Sequence, residues 1–570
     1  ESIVYDKLDR PVLTQDAVQK TQQKWNFTKY DNLGRVAYTG IVTSYNTRPQ
    51  MQSQFDAENN TALKLYETKK SSGTGFDGTY YTNSNFPDYN LEVLTVNYYD
   101  NYTFNRAGAP TTVNVHGVNS TTNLKSLATG SRIKVLDQSQ KKWITTVTYY
   151  DEKARPIYMY SKNEYLETTD ISETKLEDFT GKVLQTRTVH NKTGQEEIVT
   201  IDTFSYDHAD RLLDQYQCVG GSSLISCNGE APDHVTKSSP LDLMQNETQI
   251  IAKQSITLAA GFEVAPSANQ SVVFTVNATA SAAELIVSNN YDELGQLKSK
   301  KVGNSKDAPL QTVDYTYNIR GWLTNINQDT QNDSDLFNFT LRYNNPTTGT
   351  ALYNGNISQT SWNTANVDSS TKTYTYAYDA LNRITGATGA TTSNYNVSGI
   401  SYDKNGNIKT LNRNGWKNSS NYSDMDKLIY TYDSGNKLKK VKDNGNDTYG
   451  FKDGIDTTTE YVYDINGNMT KDDNKGISAI SYNHLNLPTS VTIDWNSIHY
   501  VYDATGVKLS KTVNSYPSET VTQYAGNYIY ENDELQFFNH AEGYVKNDNG
   551  IFSYIYQYKD HLGNVRLSYS

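Results

Sequence analysis

The stretch that decides the fold is Tyr461-Val-Tyr-Asp-Ile-Asn-Gly-Asn468. Alternate residues of a strand project from the same face, so Tyr461 and Tyr463 stand on one side of a strand. Asp464 ends that strand, because its side chain can accept hydrogen bonds from backbone N–H groups two residues further on. The following Asn-Gly pair tolerates the positive φ of a tight hairpin turn. The stretch therefore predicts a strand, a turn and a second strand that runs back.

This pattern repeats along the chain. Three more copies carry the same residues, namely Tyr376, Tyr378 and Asp379, then Tyr430, Tyr432 and Asp433, then Tyr500, Tyr502 and Asp503. Simple Tyr-Asp pairs extend the pattern toward the N-terminus, at Tyr5, Tyr30, Tyr99, Tyr150, Tyr206 and Tyr291. From Tyr378 onward, through Tyr402 and a Tyr482-Asn483 variant, the steps are 24, 30, 31, 19 and 20 residues. Periods of this size are typical of stacked supersecondary units.

The repeat predicts an all-β fold. A single hairpin is not stable in water, so each hairpin has to pair with the next one. Repetition also aligns tyrosines on neighbouring strands, where each cross-strand pair adds roughly 0.2–1 kcal/mol. We therefore predict one long antiparallel sheet built from successive hairpins.

Composition limits the class of protein. The 570 residues include 46 tyrosines, aromatic residues make up 12% of the chain, and the net charge is −12. Twelve per cent aromatic residues argue against disorder, and an acidic chain is a poor partner for nucleic acid phosphates. No apolar run approaches the roughly 20 residues of a membrane helix. We expect a secreted or cell-surface protein with no transmembrane segment and no nucleic-acid partner.

Two cysteines are present, Cys218 and Cys227. A disulfide that closes this short loop fits an oxidising compartment, and two free thiols are the alternative. No second pair of cysteines or histidines stands at metal-ligand spacing, so we predict no metal centre. The segments Asp403–Asn407 and Asp464–Asn468 faintly resemble calcium loops, but their glycine is at position four and not at position six, which favours turns.

The sequence holds no catalytic constellation. None of the eight histidines forms an i,i+4 pair, and the chain lacks Gly-x-Ser-x-Gly and the phosphate-binding Gly-x-x-x-x-Gly-Lys-Ser/Thr motif. We therefore predict a structural protein that is not an enzyme and uses no cofactor.

With these motifs in order, the chain resembles YD-repeat (RHS) proteins, which include bacterial polymorphic toxins, insecticidal toxin-complex shells and teneurins. The best match is Tyr558-Lys-Asp-His-Leu-Gly-Asn-Val-Arg-Leu567, with Asp560, Leu562, Gly563 and Arg566, which is similar to the opening of the RHS repeat-associated core. Stretches such as Tyr315-Thr-Tyr-Asn-Ile-Arg-Gly-Trp322 are similar to RHS proteins of bacteria that use type IX secretion.

The resemblance implies a sheet wound spirally into a hollow cocoon, followed by a variable effector that is frequently a toxin. We expect such an effector beyond Ser570, and we expect type IX secretion machinery as a partner. The function that this implies is a secreted shell that encloses or presents the effector. The alternative is a surface adhesin or scaffold, exported by the same route, that encloses nothing.

Three regions are predicted along the chain. Residues 1–235 form an N-terminal β region with sparse Tyr-Asp repeats, and residues 286–570 carry dense repeats that end in the start of the RHS core. Between them, residues 238–285 read as short alternating strands without Tyr-Asp, which predicts a small β-helical or sandwich-like insert.

Overall fold

A computed structural model gives the fold of the chain. It describes residues 1–58, 65–137, 139–222, 224, 227, 234–237, 249–252, 255–258, 273–276, 283–327, 335–366, 368–389, 394–418, 420–446, 448–454 and 456–570. Strands dominate these residues, and the prediction of an all-β fold with a long antiparallel sheet is confirmed. Helices are few and short, at Ala17–Thr21 (α1) and Arg48–Glu58 (α2), with 3₁₀ turns at Phe76–Gly78 and Asp473–Lys475.

The first part of the chain contributes fourteen described strands. They are β1 Ser2–Tyr5, β2 Pro11–Gln15, β3 Lys24–Tyr30, β4 Val36–Thr43, β5 Leu91–Tyr99, β6 Asn114–Val115, β7 Val118–Asn119, β8 Ala128–Lys134, β9 Trp143–Tyr150, β10 Pro156–Asn163, β11 Thr168–Leu176, β12 Val183–Lys192, β13 Ile198–Tyr206 and β14 Leu212–Gly220.

Four short strands follow in the middle of the chain. They are β15 His234–Lys237, β16 Gln249–Ala252, β17 Ser255–Leu258 and β18 Val273–Val276. Strand β15 pairs with β17 and β16 with β18, and both pairs are parallel. Most residues of the predicted insert lie outside the described residues, so the limits of the three regions stay a prediction.

The second part of the chain is denser in strands. It continues with β19 Glu284–Tyr291, β20 Leu297–Val302, β21 Gln311–Tyr317, β22 Leu323–Ile326, β23 Phe337–Arg342, β24 Gln359–Thr364, β25 Asp368–Tyr378, β26 Ile384–Gly389, β27 Val397–Tyr402, β28 Ile408–Asn418, β29 Asn421–Tyr432 and β30 Leu438–Asp443. The last strands are β31 Tyr461–Tyr463, β32 Met469–Asp472, β33 Ile477–Tyr482, β34 Pro488–Ile493, β35 Asn496–Tyr502, β36 Lys508–Ser515, β37 Ser518–Ala525, β38 Tyr528–Glu531, β39 Glu534–His540, β40 Gly543–Asp548, β41 Ile551–Lys559 and β42 Val565–Tyr569.

These strands form two long meanders. Strands β1–β5, β8–β14 and β19–β30 make a sheet of 24 strands, and β31–β42 make a sheet of 12, counted over the described residues. In both sheets each strand pairs with the strand before and after it in the meander, always antiparallel. Strand β14 pairs directly with β19, so the first sheet continues past the parallel strands of the insert.

Alternation along each strand builds the core. In β3 the side chains of Trp25 and Phe27 are buried while their neighbours are partly exposed, as period-two patterning requires. The largest buried cluster joins these residues to Tyr38, Tyr81 and Tyr98. Valines and aromatic residues fill this cluster, and Trp25 with the tyrosines and phenylalanines supplies its largest side chains.

Cys218 and Cys227 form a disulfide with a Cα–Cα distance of 5.7 Å, and both residues are buried. Cys218 lies on β14, where its backbone pairs with Ile201 of β13. The disulfide therefore fastens the chain that follows β14 to an inner strand of the first sheet, since β14 pairs with both β13 and β19.

We expect the double variant Cys218→Ser, Cys227→Ser to unfold at lower denaturant concentration than the natural chain. A closed loop of this length constrains the unfolded chain by about 2–3 kcal/mol. Chemical unfolding followed by tyrosine fluorescence measures the change, and the natural chain treated with a thiol reductant should shift to the same midpoint. An unchanged midpoint in both samples would show that the bond carries no stability.

Candidate functional site: the repeat turns and the seam

Nearly every Tyr-Asp repeat ends in the same five-residue turn; the exception is Tyr99-Asp100, where Asp100 itself has a positive φ and donates its N–H to the carbonyl of Leu127. At Asp379, Oδ1 accepts the backbone N–H groups of Leu381 and Arg383, both at 2.9 Å. The backbone of Asp379 closes the turn, since its N–H donates to the carbonyl of Arg383 and its carbonyl accepts the N–H of Asn382. The aspartate thus satisfies the backbone donors that a hairpin of this length leaves unpaired.

The fourth residue of the turn is always left-handed. Its φ is positive at Asp9, Gly34, Ala154, Asp210, Gly295, Gly321, Asn382, Gly406, Asn436, Gly467, Asn486, Gly506 and Gly563. Glycine, asparagine and aspartate are the residues that adopt this conformation at least cost. This is a turn followed by a bulge, a hairpin class longer than the two-residue turn that Asn-Gly most often forms.

An arginine four residues after the aspartate links one hairpin to the next. Arg383 donates to Oδ2 of Asp379 through Nε at 2.7 Å, and its guanidinium lies 4.4 Å from the ring centroid of Tyr402. Arg10, Arg35 and Arg211 stack in the same way on Tyr30, Tyr99 and Tyr291. The role of these arginines was not predicted from the sequence, although each of them stands four residues after a repeat aspartate.

The hydroxyl of the repeat tyrosine completes the link. Tyr402 donates to the carbonyl of Ile384, and Tyr378 donates to the carbonyl of Ile357 at 2.8 Å. The acceptor lies at the start of the return strand of the preceding hairpin. The same bond is made by Tyr30, Tyr99, Tyr150, Tyr206, Tyr291, Tyr317, Tyr343, Tyr432, Tyr463 and Tyr482.

The first tyrosine of each Tyr-x-Tyr stretch lies on the same face but has other partners. Tyr376 shares a hydrogen bond of 2.9 Å with the hydroxyl of Thr360. Tyr461 is buried and accepts from Asn474, while Tyr430 packs in the same small cluster. Tyr500 lies 6.3 Å from Tyr502, ring centre to ring centre. These rings therefore serve packing within the sheet.

In two turns without this arginine, at Asp403 and Asp464, an asparagine four residues after the aspartate takes its place. Asp403 accepts from the backbone of Asn405 and Asn407 and, through Oδ2, from Asn407 Nδ2 at 2.8 Å. Asn407 and Asn405 also donate to Asn436 of the next turn. Asp464 and Asn468 make the equivalent contacts, with Asn486 as the shared acceptor. Both oxygens of these aspartates thus serve the turn itself.

Hydrogen bonding keeps the turn carboxylates ionised. The side chain of Arg383 lowers the pKa of Asp379, the amide of Asn407 lowers that of Asp403, and the backbone N–H of Lys437 lowers that of Asp433. For Asp207 the backbone N–H of Arg211 is the largest cause, and the pKa falls to about 2.

The last turn departs from the repeat. Asp560 accepts from the backbone of Leu562 and Asn564 and from Nε of Arg566, which stands six residues after it. Burial opposes ionisation of Asp560, yet these donors outweigh it and lower its pKa. Gly563 supplies the positive φ, and Leu562 is exposed. The guanidinium of Arg566 reaches the rings of Phe339 and Trp362 on the first sheet.

The second sheet lies along the first at a seam, which we define by five contacts between distant residues. Asn466 accepts from the N–H of Val18, Ala504 donates to the carbonyl of Lys134, and Tyr530 shares a 2.7 Å hydrogen bond with His190. Tyr556 donates to the carbonyl of Leu285, and Tyr558 donates to Gln311. These five pairs rise in number together on both sheets, so late strands broadly follow early strands in the same order, although Glu542 pairs ahead of this order with Lys300.

The seam joins opposite edges of the meander. Asn466 and Ala504 belong to Tyr-Asp turns, whereas Val18 lies in α1, in the connection between β2 and β3, and Lys134 is the last residue of β8. Backbone pairing between Val135 and Asp503 adds a direct bridge there. Behind it, Tyr528, Tyr530 and Phe538 are buried in one cluster with residues of the first sheet.

Nothing among the described residues gathers three or more metal-ligating side chains. In the same part of the chain, no helix combines the length and the apolar character needed to cross a membrane.

Comparisons with known proteins give structural likeness only. No family model matches the chain, and no curated protein matches it. Solved structures that match include the crystal structures of TcdB2-TccC3-TEV, with 13% identity, and TcdB2-TccC3-Cdc42, with 12% identity. Each match covers 99% of this chain and 31% of the other, with a TM-score of 0.34, so the chain spans about a third of their length.

The link between hairpins is testable with a double-mutant cycle on Arg383→Met and Tyr402→Leu. We expect a coupling of about 0.5–1 kcal/mol, since the guanidinium stacks on a partly exposed ring. Hydrogen exchange at the N–H groups of Leu381 and Arg383 reports the local opening. Lys404→Met, an exposed change in the next turn, is the control. Additive effects of the two substitutions would contradict the link.

Acid should loosen the turns. The pKa of Asp207 is lowered from 3.8 to about 2 on folding, and Asp379, Asp403 and Asp433 shift in the same direction. When folding lowers the pKa of a carboxyl group, the ionised group stabilises the fold at any pH above its pKa in the unfolded chain. This stability is lost as the pH falls through the pKa of the folded chain. We expect the thermal unfolding midpoint to hold down to about pH 4 and to drop toward pH 2. A midpoint that stays constant to pH 2 would refute this role.

Proposed function

We propose that this chain is a structural YD-repeat shell that encloses or presents an effector domain carried C-terminal to the repeats. The observation that carries the proposal is the order of contacts at the seam. Asn466, Ala504, Tyr530 and Tyr556 meet Val18, Lys134, His190 and Leu285 in rising order on both sides.

That order distinguishes winding from folding back. If the second sheet folded back over the first, its earliest strands would contact the latest strands of the first sheet. The residue numbers of the partners in the first sheet would then fall as the residue numbers in the second sheet rise. A strip that winds passes its own earlier turn in the same direction. Opposite edges then meet, as the turn at Asp503 meets the far end of β8.

The repeat turn allows the sheet, which would form the wall of the shell, to be extended hairpin by hairpin. Each hairpin contacts mainly the one before it, through the arginine stack and the tyrosine hydroxyl, so stability accumulates unit by unit. Such a wall extends by adding hairpins and does not require one central core. A wound wall supplies what a carrier needs, namely a boundary between a passenger and the medium.

Secretion is part of the proposal. A disulfide between Cys218 and Cys227 supports an oxidising compartment. The sequence resemblance to RHS proteins of bacteria with type IX secretion supports that route, and we propose that the chain itself performs no catalysis.

A surface adhesin without cargo is the second candidate. One observation favours it, an exposed aromatic cluster in which Tyr395, Trp416 and Tyr449 are 50%, 38% and 46% exposed. Trp416 lies 4.5 Å from Tyr422, which joins these rings into one surface. Contiguous exposed apolar surface often marks a binding site.

The experiment is limited proteolysis and cryo-EM of the natural chain with its C-terminal continuation. We expect density inside the wound sheet and a passenger that resists protease. Tyr528→Ala, which removes the ring stacked 3.7 Å from His190 at the seam, should expose the passenger. Trp495→Ala, at a 98% exposed ring, is the matched control and should leave it protected. If the C-terminal continuation lies outside the sheet and the protease cuts it equally in all samples, the shell proposal is contradicted and the adhesin is favoured.

A further inference from the structure

A lysine occupies a core position in the first sheet. In β3 the buried face carries Trp25, Phe27 and then Lys29, which is 3% exposed. Its Nζ donates to Oε1 of Glu67 at 3.0 Å and to Oδ1 of Asn83 at 3.2 Å. It also donates to the backbone carbonyl of Asn85. A primary amine is thus held beside a carboxamide and a carboxylate inside the protein.

Glu67 is fully buried and has donors besides the lysine. Oε2 accepts from the hydroxyl of Thr82 at 2.7 Å and from the N–H of Ser84 at 2.8 Å, and Oε1 accepts from the N–H of Asn85 at 3.1 Å. Three neutral donors therefore satisfy this carboxylate even when the amine carries no charge.

The carboxamide of Asn83 is oriented from both ends. The hydroxyl of Tyr38 lies 3.2 Å from Oδ1, the oxygen where negative charge would develop during attack at the carbonyl carbon, and its shorter hydrogen bond of 2.9 Å goes to the carbonyl of Thr82. Nδ2 donates to the carbonyl of Asp88 at 2.9 Å. Tyr38 itself is buried beside Phe27 and Tyr81, at ring distances of 6.1 Å from each.

We propose that Lys29 and Asn83 are joined by an intramolecular isopeptide bond, formed with Glu67 as the proton-transfer group. Glu67 takes a proton from the lysine ammonium, and the neutral Nζ attacks Cγ of Asn83. The C–N bond to Nζ forms and the bond from Cγ to Nδ2 breaks. The departing nitrogen receives the proton held by Glu67 and the one lost by Nζ. One ammonium ion leaves, Glu67 returns to its carboxylate, and no oxidant or reductant is needed.

The product keeps the hydrogen bonds of the site. The amide removes the buried ammonium, whose desolvation is costly, and the Glu67 carboxylate that remains keeps its three neutral donors. The new amide N–H still donates to Glu67, and its carbonyl still accepts from Tyr38. Because the fold already holds the amine and the carboxamide in contact, much of the entropic cost of bringing the reacting groups together is met on folding.

The bond would tie the strand of the second Tyr-Asp repeat to a long loop. Lys29 stands one residue before the Tyr30-Asp31 repeat, and Asn83 lies in the connection between β4 and β5. A covalent tie at this point would hold the loop against the sheet where hydrogen bonds alone would open under load or protease.

Mass spectrometry of the full chain tests the proposal. After denaturation and disulfide reduction, the intact mass should be lower than the sequence mass by one ammonia. Trypsin should release a branched peptide that joins the segments of Lys29 and Asn83, with no cut after Lys29. A mass equal to the sequence mass and a linear Lys29 peptide would show a buried ion pair only and would overturn the bond.

Variants give matched controls. Asn83→Ala should restore the full sequence mass, and Lys70→Met, at a nearby exposed lysine, should keep the loss of ammonia. Asn83→Asp should condense with loss of water and reach the same final mass as the natural chain. Glu67→Gln should leave the bond unformed in chains that circular dichroism shows to be folded. Ammonia loss that persists in Asn83→Ala would place the modification elsewhere and refute the proposal.

Discussion

The structure depends on one interaction, the capture of two backbone N–H groups by the aspartate that follows nearly every repeat tyrosine. At Asp379 the carboxylate binds the N–H groups of Leu381 and Arg383, and the same contacts recur from Asp6 to Asp560. Each capture fixes a turn of set length, and turn length sets the register of the two strands. Because a slip of one residue would send the tyrosines to the opposite face, the turn also determines which side of the sheet is buried.

The same carboxylate organises contacts between hairpins. Its second oxygen holds an arginine or asparagine side chain that reaches the next unit, as Arg383 reaches Tyr402 and Asn407 reaches Asn436. The next tyrosine then donates its hydroxyl to the hairpin behind it. Burial raises the pKa of Tyr378, Tyr432 and Tyr463, so these hydroxyls keep their protons at any physiological pH. Stability therefore passes along the strip without a single central core.

Winding adds a second level of contact that the repeat does not encode locally. At the seam, buried polar groups are paired across turns, as in the chain from Asp170 through His190 to Tyr530. These pairs are satisfied only when the two turns are in register, so they select one winding among several that hydrophobic burial alone would allow. The disulfide and the lysine–asparagine site lie on the first sheet, where they would fasten two of the irregular connections between its strands.

The sequence by itself determined the strands, the turns and the antiparallel sheet, because a hairpin is specified by residues within a few positions of one another. Two further features of the sequence bear on the structure but were not predicted to matter. One is the arginine four residues after Asp, and the other is Lys29, which follows Trp25 and Phe27 on the buried face of β3. The tertiary structure alone decided the seam and the site around Lys29. Their partners, such as Tyr530 and His190, stand up to several hundred residues apart, and no local pattern records which distant strands the curvature of a sheet will bring together.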